Sequence, residues 1–363
     1  MLPQADPGKR FAGLWNDILN AIQRVFARGA FILGEEVERF ESEFASYLGV
    51  AHVVGVGSGT DALALALKAL GIASGDEVIT VSLTSAATAI GIEDAGASPV
   101  FVDVDRSTRC MDTDALTAAI GPRTAAIVPV HLHGFPAAME EIMAIAHRHR
   151  IFVVEDCAQA HGATLGGRRV GSFGHAAAFS HYPTKNLGAA GDAGTVATSD
   201  AEIAAKIRRM RFYGFDSSQV CIGPGSNRRL DELQAAILRV LLPHLDRHNA
   251  ERRLLAAAYR SYLTGHNFGL PPEIDGAVYH QFAITVEHRD QVRSLLAARG
   301  IRTGVHYPLG VHRHLRFAKA GVSLPVTDEL SHKLLSLPIQ PEVTEGRVDD
   351  ICRLLCECAA LRQ

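Results

Sequence analysis

No stretch of the 363-residue sequence approaches the roughly 18 consecutive apolar residues that a membrane-spanning helix needs. The first residues, Met1 to Pro7, are polar and proline-containing, and the expectation is a cytoplasmic protein. Cysteine is sparse. Cys110, Cys157, Cys221, Cys352, Cys356 and Cys358 lack the paired spacing of a disulfide framework, and the last three fall in one apparent helix with no histidine nearby, which reads as packed or exposed thiols and not as a metal site. Charge of one sign is never concentrated: 36 Lys and Arg against 39 Asp and Glu leave a formal net charge of −3, which gives nucleic acid no basic face to bind. Internal repeats and low-complexity tracts are also missing.

What is present is a chain that is 47% hydrophobic and 21% charged, enough for one large domain and a smaller one. After a helical lead-in of about fifty residues (a segment from Gly8 to Arg28, then Glu35 to Tyr47), short β-rich runs alternate with helical segments. Strands are expected at His52 to Val56, Glu77 to Val81, Pro99 to Val104, Ala125 to Val130, Phe152 to Glu155, Ala176 to Phe179 and Thr195 to Thr198. This is the alternation of an α/β protein with a largely parallel sheet, whose ligands bind at the carboxyl ends of the strands. The turn-rich stretch Thr264 to Ala277 follows a long helix, Asp246 to Leu263. Beyond it a strand at Gln281 to Val286, a helix at Asp290 to Arg299 and a last helix from Glu345 to Arg362 make an α+β unit. The expected division is 1–245 and 246–363.

Three motifs carry chemistry. Gly55-Val56-Gly57-Ser58-Gly59-Thr60-Asp61 joins a strand to a helix, so free N–H groups and the positive helix end converge there. That suits a phosphate, although a tight turn would use the same residues. A dinucleotide fingerprint would need glycine at position 60, where Thr60 stands, and the Lys-Ser ending of a P-loop is absent. Phe152 to Gln159 drives an apolar strand into Glu155 and Asp156; a carboxylate at a buried strand end needs a positive partner such as a protonated pyridine nitrogen, or else caps the next helix. Ser180-His181-Tyr182-Pro183-Thr184-Lys185-Asn186-Leu187-Gly188 presents one lysine at a strand end, where desolvation can free an amine to form a Schiff base; a solvated surface lysine is the plainer alternative. A fourth stretch, Gly225 to Ala235, reads as a polar loop entering a helix capped by Asp231 and Glu232, with the Asn-Arg-Arg of the loop unexplained.

Phosphate cradle, acid and lysine together supply what pyridoxal 5'-phosphate requires. The order of Gly57 to Leu63, Pro99 to Asp105, Glu155 to Ala163, Ser180 to Gly194, Gly225 to Ala236 and Thr303 to Pro308 resembles the DegT/DnrJ/EryC1/StrS aminotransferases, from about Phe31 onward. The resemblance implies a fold type I, aspartate aminotransferase-like α/β architecture and a homodimer. It makes Lys185 the Schiff-base lysine and proton shuttle, and pairs Asp156 with the ring nitrogen. It places Gln159 near the phenolic oxygen, Gly59, Thr60 and Ser180 on the phosphate, and Asn227 on the neighbouring subunit's phosphate. His181, Tyr182, His306 and Tyr307 fall on the substrate side. Many members carry a ring-stacking aromatic where this chain has Ser85, a contact worth on the order of 1 kcal/mol.

The implied reaction is ping-pong amination of a keto sugar, with L-glutamate as donor. The lysine segment resembles that of members acting at C3 of nucleotide-linked keto-deoxysugars. Amination of a cyclitol and cofactor binding without turnover are the alternatives. Sugar dehydratases of the family replace the lysine by histidine, which Lys185 argues against.

Overall fold

The computed structural model describes residues 2–340 and 343–360. Helix α1 (Pro7–Ala12) starts behind Asp6, whose carboxylate accepts from the Lys9 amide, and stops at Gly13, so the expected single segment from Gly8 to Arg28 is two helices. Helix α2 (Trp15–Arg28) ends on left-handed Gly29, and α3 (Glu35–Leu48) on left-handed Gly49, both positions that favour glycine. The α/β alternation then runs through β1 (His52–Val56), α4 (Gly59–Ala69), β2 (Glu77–Val81), α5 (Ala86–Asp94), β3 (Ser98–Val102), α6 (Thr113–Ala119), β4 (Thr124–Val128), α7 (Met139–His149) and β5 (Phe152–Asp156). A short hairpin, β6 (Thr164–Leu165) and β7 (Arg168–Arg169), precedes β8 (Ala176–Ser180) and β9 (Gly194–Thr198).

Among the described residues the main sheet has seven strands in the order β1-β9-β8-β5-β4-β2-β3. Only β9 runs against the others: it pairs antiparallel with β1 and β8, while β8, β5, β4, β2 and β3 are joined by parallel ladders. The expected α/β class with a mostly parallel sheet is what forms. Both faces are covered, which is why the strands read as near-continuous apolar runs. Val54, Val78 and Val128 pack against Leu63 and Leu67 of α4 on one face. Their neighbours Val53 and Phe179 meet Phe40 and Phe44 of α3 on the other, where Ile79, Ile127 and Val153 also lie under Phe135 and Ile142.

Helices α8 (Ala201–Met210), α9 (Glu232–Leu241) and α10 (Leu245–Leu263) lead to β10 (Phe282–Thr285), α11 (Arg289–Ala298), α12 (Pro325–Lys333), β11 (Leu334–Leu337) and α13 (Glu345–Ala360). Strands β10 and β11 form a two-stranded antiparallel sheet. Tyr259 of α10, Phe282 and Leu337 join the same apolar cluster as Ile79 and Phe135, so the C-terminal unit packs directly on the main sheet. Of the last predicted helix, Leu361 and Arg362 lie outside the described residues.

The capping expected of Asp231 and Glu232 is not what forms. Asp231 makes no side-chain cap, and buried Glu232 accepts from the amides of Gly34, Glu36 and Val37 at 2.9, 3.0 and 2.9 Å, capping the start of α3 instead. Arg228 of the unexplained loop pairs with Asp61 at 3.0 Å and Asp94 at 2.6 Å, tying that loop to α4 and α5.

Candidate active site

The segments leaving the carboxyl ends of β1, β2, β4, β5 and β8, together with the approach to reversed β9, surround a cavity of about 460 Å³. Gly59, Thr60, Ser85, Asp156, Gln159, Ser180, Tyr182, Lys185, His306 and Tyr307 line it.

One end is built for an anion. Helix α4 points its N-terminus at the cavity, with Ser58 as cap accepting from the Asp61 amide at 3.1 Å. Gly59 is the first residue of α4, and a Cβ there would stand 2.5 Å from Ser180 Cβ. Only glycine lets the β1–α4 turn approach β8 this closely, which brings Ser180 beside the helix start.

Asp156, also on the cavity wall, closes β5. It is 8% exposed, and its Oδ2 accepts from Thr88 Oγ1 at 2.8 Å while Oδ1 accepts from the Ala158 amide at 3.1 Å. The Thr88 hydroxyl is committed as a donor to Asp156, so Thr84 Oγ1, at 3.0 Å, donates to Thr88. Residues 157–163 form turns and not a helix, so the carboxylate is no helix cap. It is an acceptor presented at the cavity wall, suited to hold a protonated nitrogen.

Lys185 lines the same cavity. Burial draws its amine down to about 8 against the opposing pull of the Asp156 charge. Its loop is closed by its own amide, which donates to Tyr182 O at 2.8 Å, and by the Ala189 amide donating to His181 O at 2.8 Å. Asn186 points away and donates to Asn249 Oδ1 at 2.8 Å, anchoring the loop on α10.

The third wall comes from the C-terminal unit. Tyr307 OH accepts from Gln159 Nε2 at 2.8 Å, and Gln159 Oε1 accepts from the His133 amide at 2.7 Å. His133 Nε2 donates in turn to His306 O at 3.0 Å. Burial drives the Tyr307 hydroxyl up to about 12, so it stays protonated and available as a donor into the cavity. His306 is held down to about 4, chiefly by burial and then by the Lys185 charge, so it is a neutral imidazole at pH 7.

The model of the DegT/DnrJ/EryC1/StrS aminotransferase family matches residues 14–356. The chain belongs to this family. It is 45% identical over 357 residues to the UDP-N-acetyl-3-dehydro-alpha-D-glucosamine 3-aminotransferase of Acidithiobacillus ferrooxidans, covering 98% of this chain and 97% of the relative. It is 46% identical over 352 residues to the dTDP-3-amino-3,4,6-trideoxy-alpha-D-glucose transaminase of Micromonospora megalomicea subsp. nigra, covering 94% of each. The crystal structure of S. venezuelae DesV in complex with a ketimine intermediate superposes with a TM-score of 0.96 at 43% identity, over 99% of this chain and 98% of that one. The expected aminotransferase family and fold are thus met.

Two of the predicted residues do not reach this cavity. His181, expected on the substrate side, is fully buried beneath the lysine loop: Nδ1 lies 2.9 Å from Leu187 O, Nε2 lies 3.1 Å from Thr195 Oγ1, and the ring packs edge-on against Phe40 and Phe44. Its position directly after β8 turns the side chain into the layer behind the sheet. Asn227 is exposed directly after the 214–226 loop and accepts from Arg229 Nε at 2.9 Å, away from its own cavity. The cavity also takes residues that periodicity and motif spacing did not single out. Thr88 lies one turn into α5, and Gln4, His280 and Gln281 come from segments far apart in the chain. Gln4 Nε2 donates to Gln281 Oε1 at 2.6 Å. Only Thr88 carried a sequence signal, its place three residues after Ser85 on an apolar helix.

Proposed function

We propose that the enzyme uses pyridoxal 5'-phosphate to transfer an amino group, with L-glutamate as donor, to C3 of a nucleotide-linked 3-keto sugar, giving the 3-amino sugar. The observation that carries this reading is the meeting, in one cavity, of the α4 N-terminus, the Asp156 carboxylate and the Lys185 amine. These fit the three ends of that cofactor, and the cradle at Gly59 is one that a Cβ would fill. Gly59, Thr60 and Ser180 would take the phosphate, Asp156 the pyridine nitrogen, Gln159 the phenolic oxygen side and Lys185 the aldehyde. Once bound, the cofactor supplies a ring that accepts the electron pair released when a proton leaves a substrate carbon.

The chain's own groups do the rest. Asp156, fixed by Thr88 and Ala158, would hold a proton on the ring nitrogen. Lys185 Nζ takes the proton from the donor carbon and returns it at the next. With its amine lowered to about 8, about a quarter is neutral at pH 7.5, against about a thousandth for an ordinary lysine. Tyr182, His306 and Tyr307 face the acceptor, with Tyr307 as donor and His306 as neutral partner. The names of both relatives place the amino group at C3 of their sugars although the sugars differ, which favours C3 here and a sugar over a cyclitol.

A homodimer belongs to the same proposal. Asn227 is exposed on the chain that carries it, as a residue serving the neighbouring subunit's phosphate site must be. The division into residues 1–245 and 246–363 is supported by the separate β10–β11 sheet with α11 and α13 around it. Six free cysteines accord with the reducing cytoplasm, and among the described residues no helix is long and apolar enough to cross a membrane. The test is the visible spectrum of the protein incubated with pyridoxal phosphate, before and after L-glutamate. A yellow band that bleaches on glutamate is expected, and a protein that never acquires the band would refute the cofactor assignment.

A further inference from the structure

The N-terminal strap reaches both halves of the site. The Leu2 amide donates to Gly300 O at 2.7 Å, and Leu2 O accepts from the Arg302 amide at 2.9 Å. Gln4 is pinned to Gln281, and the Asp6 amide donates to Gln340 Oε1, so residues 2–6 are fastened to the C-terminal unit along the cavity rim. Helix α1 then carries Arg10 to the lysine loop. Its guanidinium donates to Lys185 O at 2.7 Å, Pro183 O at 2.7 Å and Gly188 O at 3.2 Å.

Three carbonyls converge on one cation because the loop folds back on itself. A Cβ on Gly188 would lie 2.6 Å from Pro183 O and 2.9 Å from Arg10 Nη2, so the point of closure has no room for a side chain. The planar fork of a guanidinium can reach several acceptors at once in fixed directions, which a lysine ammonium cannot reproduce. The loop it binds is otherwise rich in backbone freedom, with Gly188, Gly191 and Gly194 inside nine residues of Asn186.

We propose that Arg10 is a positioning residue for Lys185: by binding the carbonyls of Pro183, Lys185 and Gly188 it fixes the backbone from which the amine is presented to the cavity. The inference rests on the role given to Lys185 in the proposed transamination, and it adds the N-terminal strap to the machinery of the site. Reactive groups lose rate steeply when displaced by even an ångström, so the value of such a clamp lies in geometry.

The test compares Arg10→Met, which keeps the stem and removes the fork, with Arg10→Lys in the full-length protein. Amide hydrogen exchange is read by mass spectrometry on peptides covering residues 182–189 and on peptides from β2 and β4. Hydrogen bonds to a charged donor of this kind correspond to a rise in exchange of about 10-fold or more when lost. For Arg10→Met that rise is expected in 182–189 alone, with partial recovery in Arg10→Lys. With glutamate the same variant is expected to lose about 10- to 100-fold in kcat with KM little changed.

Unchanged exchange in 182–189 overturns the inference whatever the activity does, and so does an equal rise in β2 and β4, which would make Arg10 a general stabiliser. Should Arg10→Met fail to fold, Arg10→Lys decides alone: a local rise supports the clamp, and wild-type exchange refutes it. Exchange needs no substrate, so an inactive protein whose loop still depends on Arg10 would count against the transamination and not against the clamp. An active protein with an indifferent loop would do the reverse.

Discussion

Replacing Thr88 by valine removes one hydroxyl from the wall of the site while keeping the shape of the side chain. That hydroxyl donates to Asp156 Oδ2 at 2.8 Å and is itself oriented by Thr84 at 3.0 Å. A hydrogen bond to a buried carboxylate is worth about 1.5 to 3 kcal/mol. Its loss leaves the Asp156 carboxylate fixed by the Ala158 amide alone. A carboxylate so loosened would hold the ring nitrogen's proton in a less constant position. The expected cost to kcat/KM in the glutamate half-reaction is about 10- to 150-fold, the same 1.5 to 3 kcal/mol expressed as a rate. Thr88→Ser, which keeps the donor, should stay within a few-fold of wild type. Stopped-flow absorbance of the cofactor-loaded variants gives both values. Wild-type kinetics in Thr88→Val would show that the Thr84–Thr88–Asp156 chain is only packing.

Three further outcomes follow from the same geometry. Ser85→Phe should slow cofactor dissociation about fivefold by supplying a stacking ring worth about 1 kcal/mol, yet lower the melting temperature, because Ser85 Oγ accepts from the Ala87 amide at 3.3 Å and caps α5; unchanged or faster dissociation would remove the stacking argument. Burial holds His181 down to about 4, so the folded state resists the proton that the unfolded chain takes near 6.5. Its contribution is complete above pH 6.5 and is lost as pH falls toward 4, amounting to about 2 kcal/mol between pH 8 and pH 5. Denaturant midpoints should show that acid loss reduced by this amount in His181→Gln, and an identical pH slope would contradict it. Mixing Lys185→Ala with Asn227→Ala subunits should regenerate activity in hybrid dimers, because one of the two sites then carries both native residues; mixtures as inactive as their parents would show that Asn227 serves its own subunit or neither.

Much of this architecture is legible in the sequence because the sheet is buried on both faces. Short apolar runs such as Glu77 to Val81 and His52 to Val56 coincide with β2 and β1 at both ends. Strand β11 is harder to see: Leu334 to Leu337 follows α12 with no turn residue between them, so nothing local marks the change from helix to strand. At the site, the residues found by motif are those that sit directly after a strand. Those missed depend on distant pairing. Gln4 meets Gln281 across 277 positions and Arg10 meets Lys185 across 175, separations that leave no periodic trace. His181 shows the opposite failure, since adjacency to a catalytic segment in the chain does not decide which side of the sheet a side chain occupies. Glu232 stands at the start of α9 in sequence yet caps α3 in space, because a buried carboxylate takes whichever free amides face it, and those belong to α3.

Transfer of nitrogen from donor to sugar tests the proposed reaction itself. Protein loaded with pyridoxal phosphate is incubated with 15N-L-glutamate and a UDP- or dTDP-linked 3-keto sugar, alongside Lys185→Ala, and the nucleotide sugars are weighed by mass spectrometry. A 15N-labelled 3-amino sugar is expected from the wild type and none from Lys185→Ala. Label in the product of the lysine variant, or a wild type that bleaches with glutamate yet leaves every 3-keto nucleotide sugar unaminated, would contradict the proposed reaction.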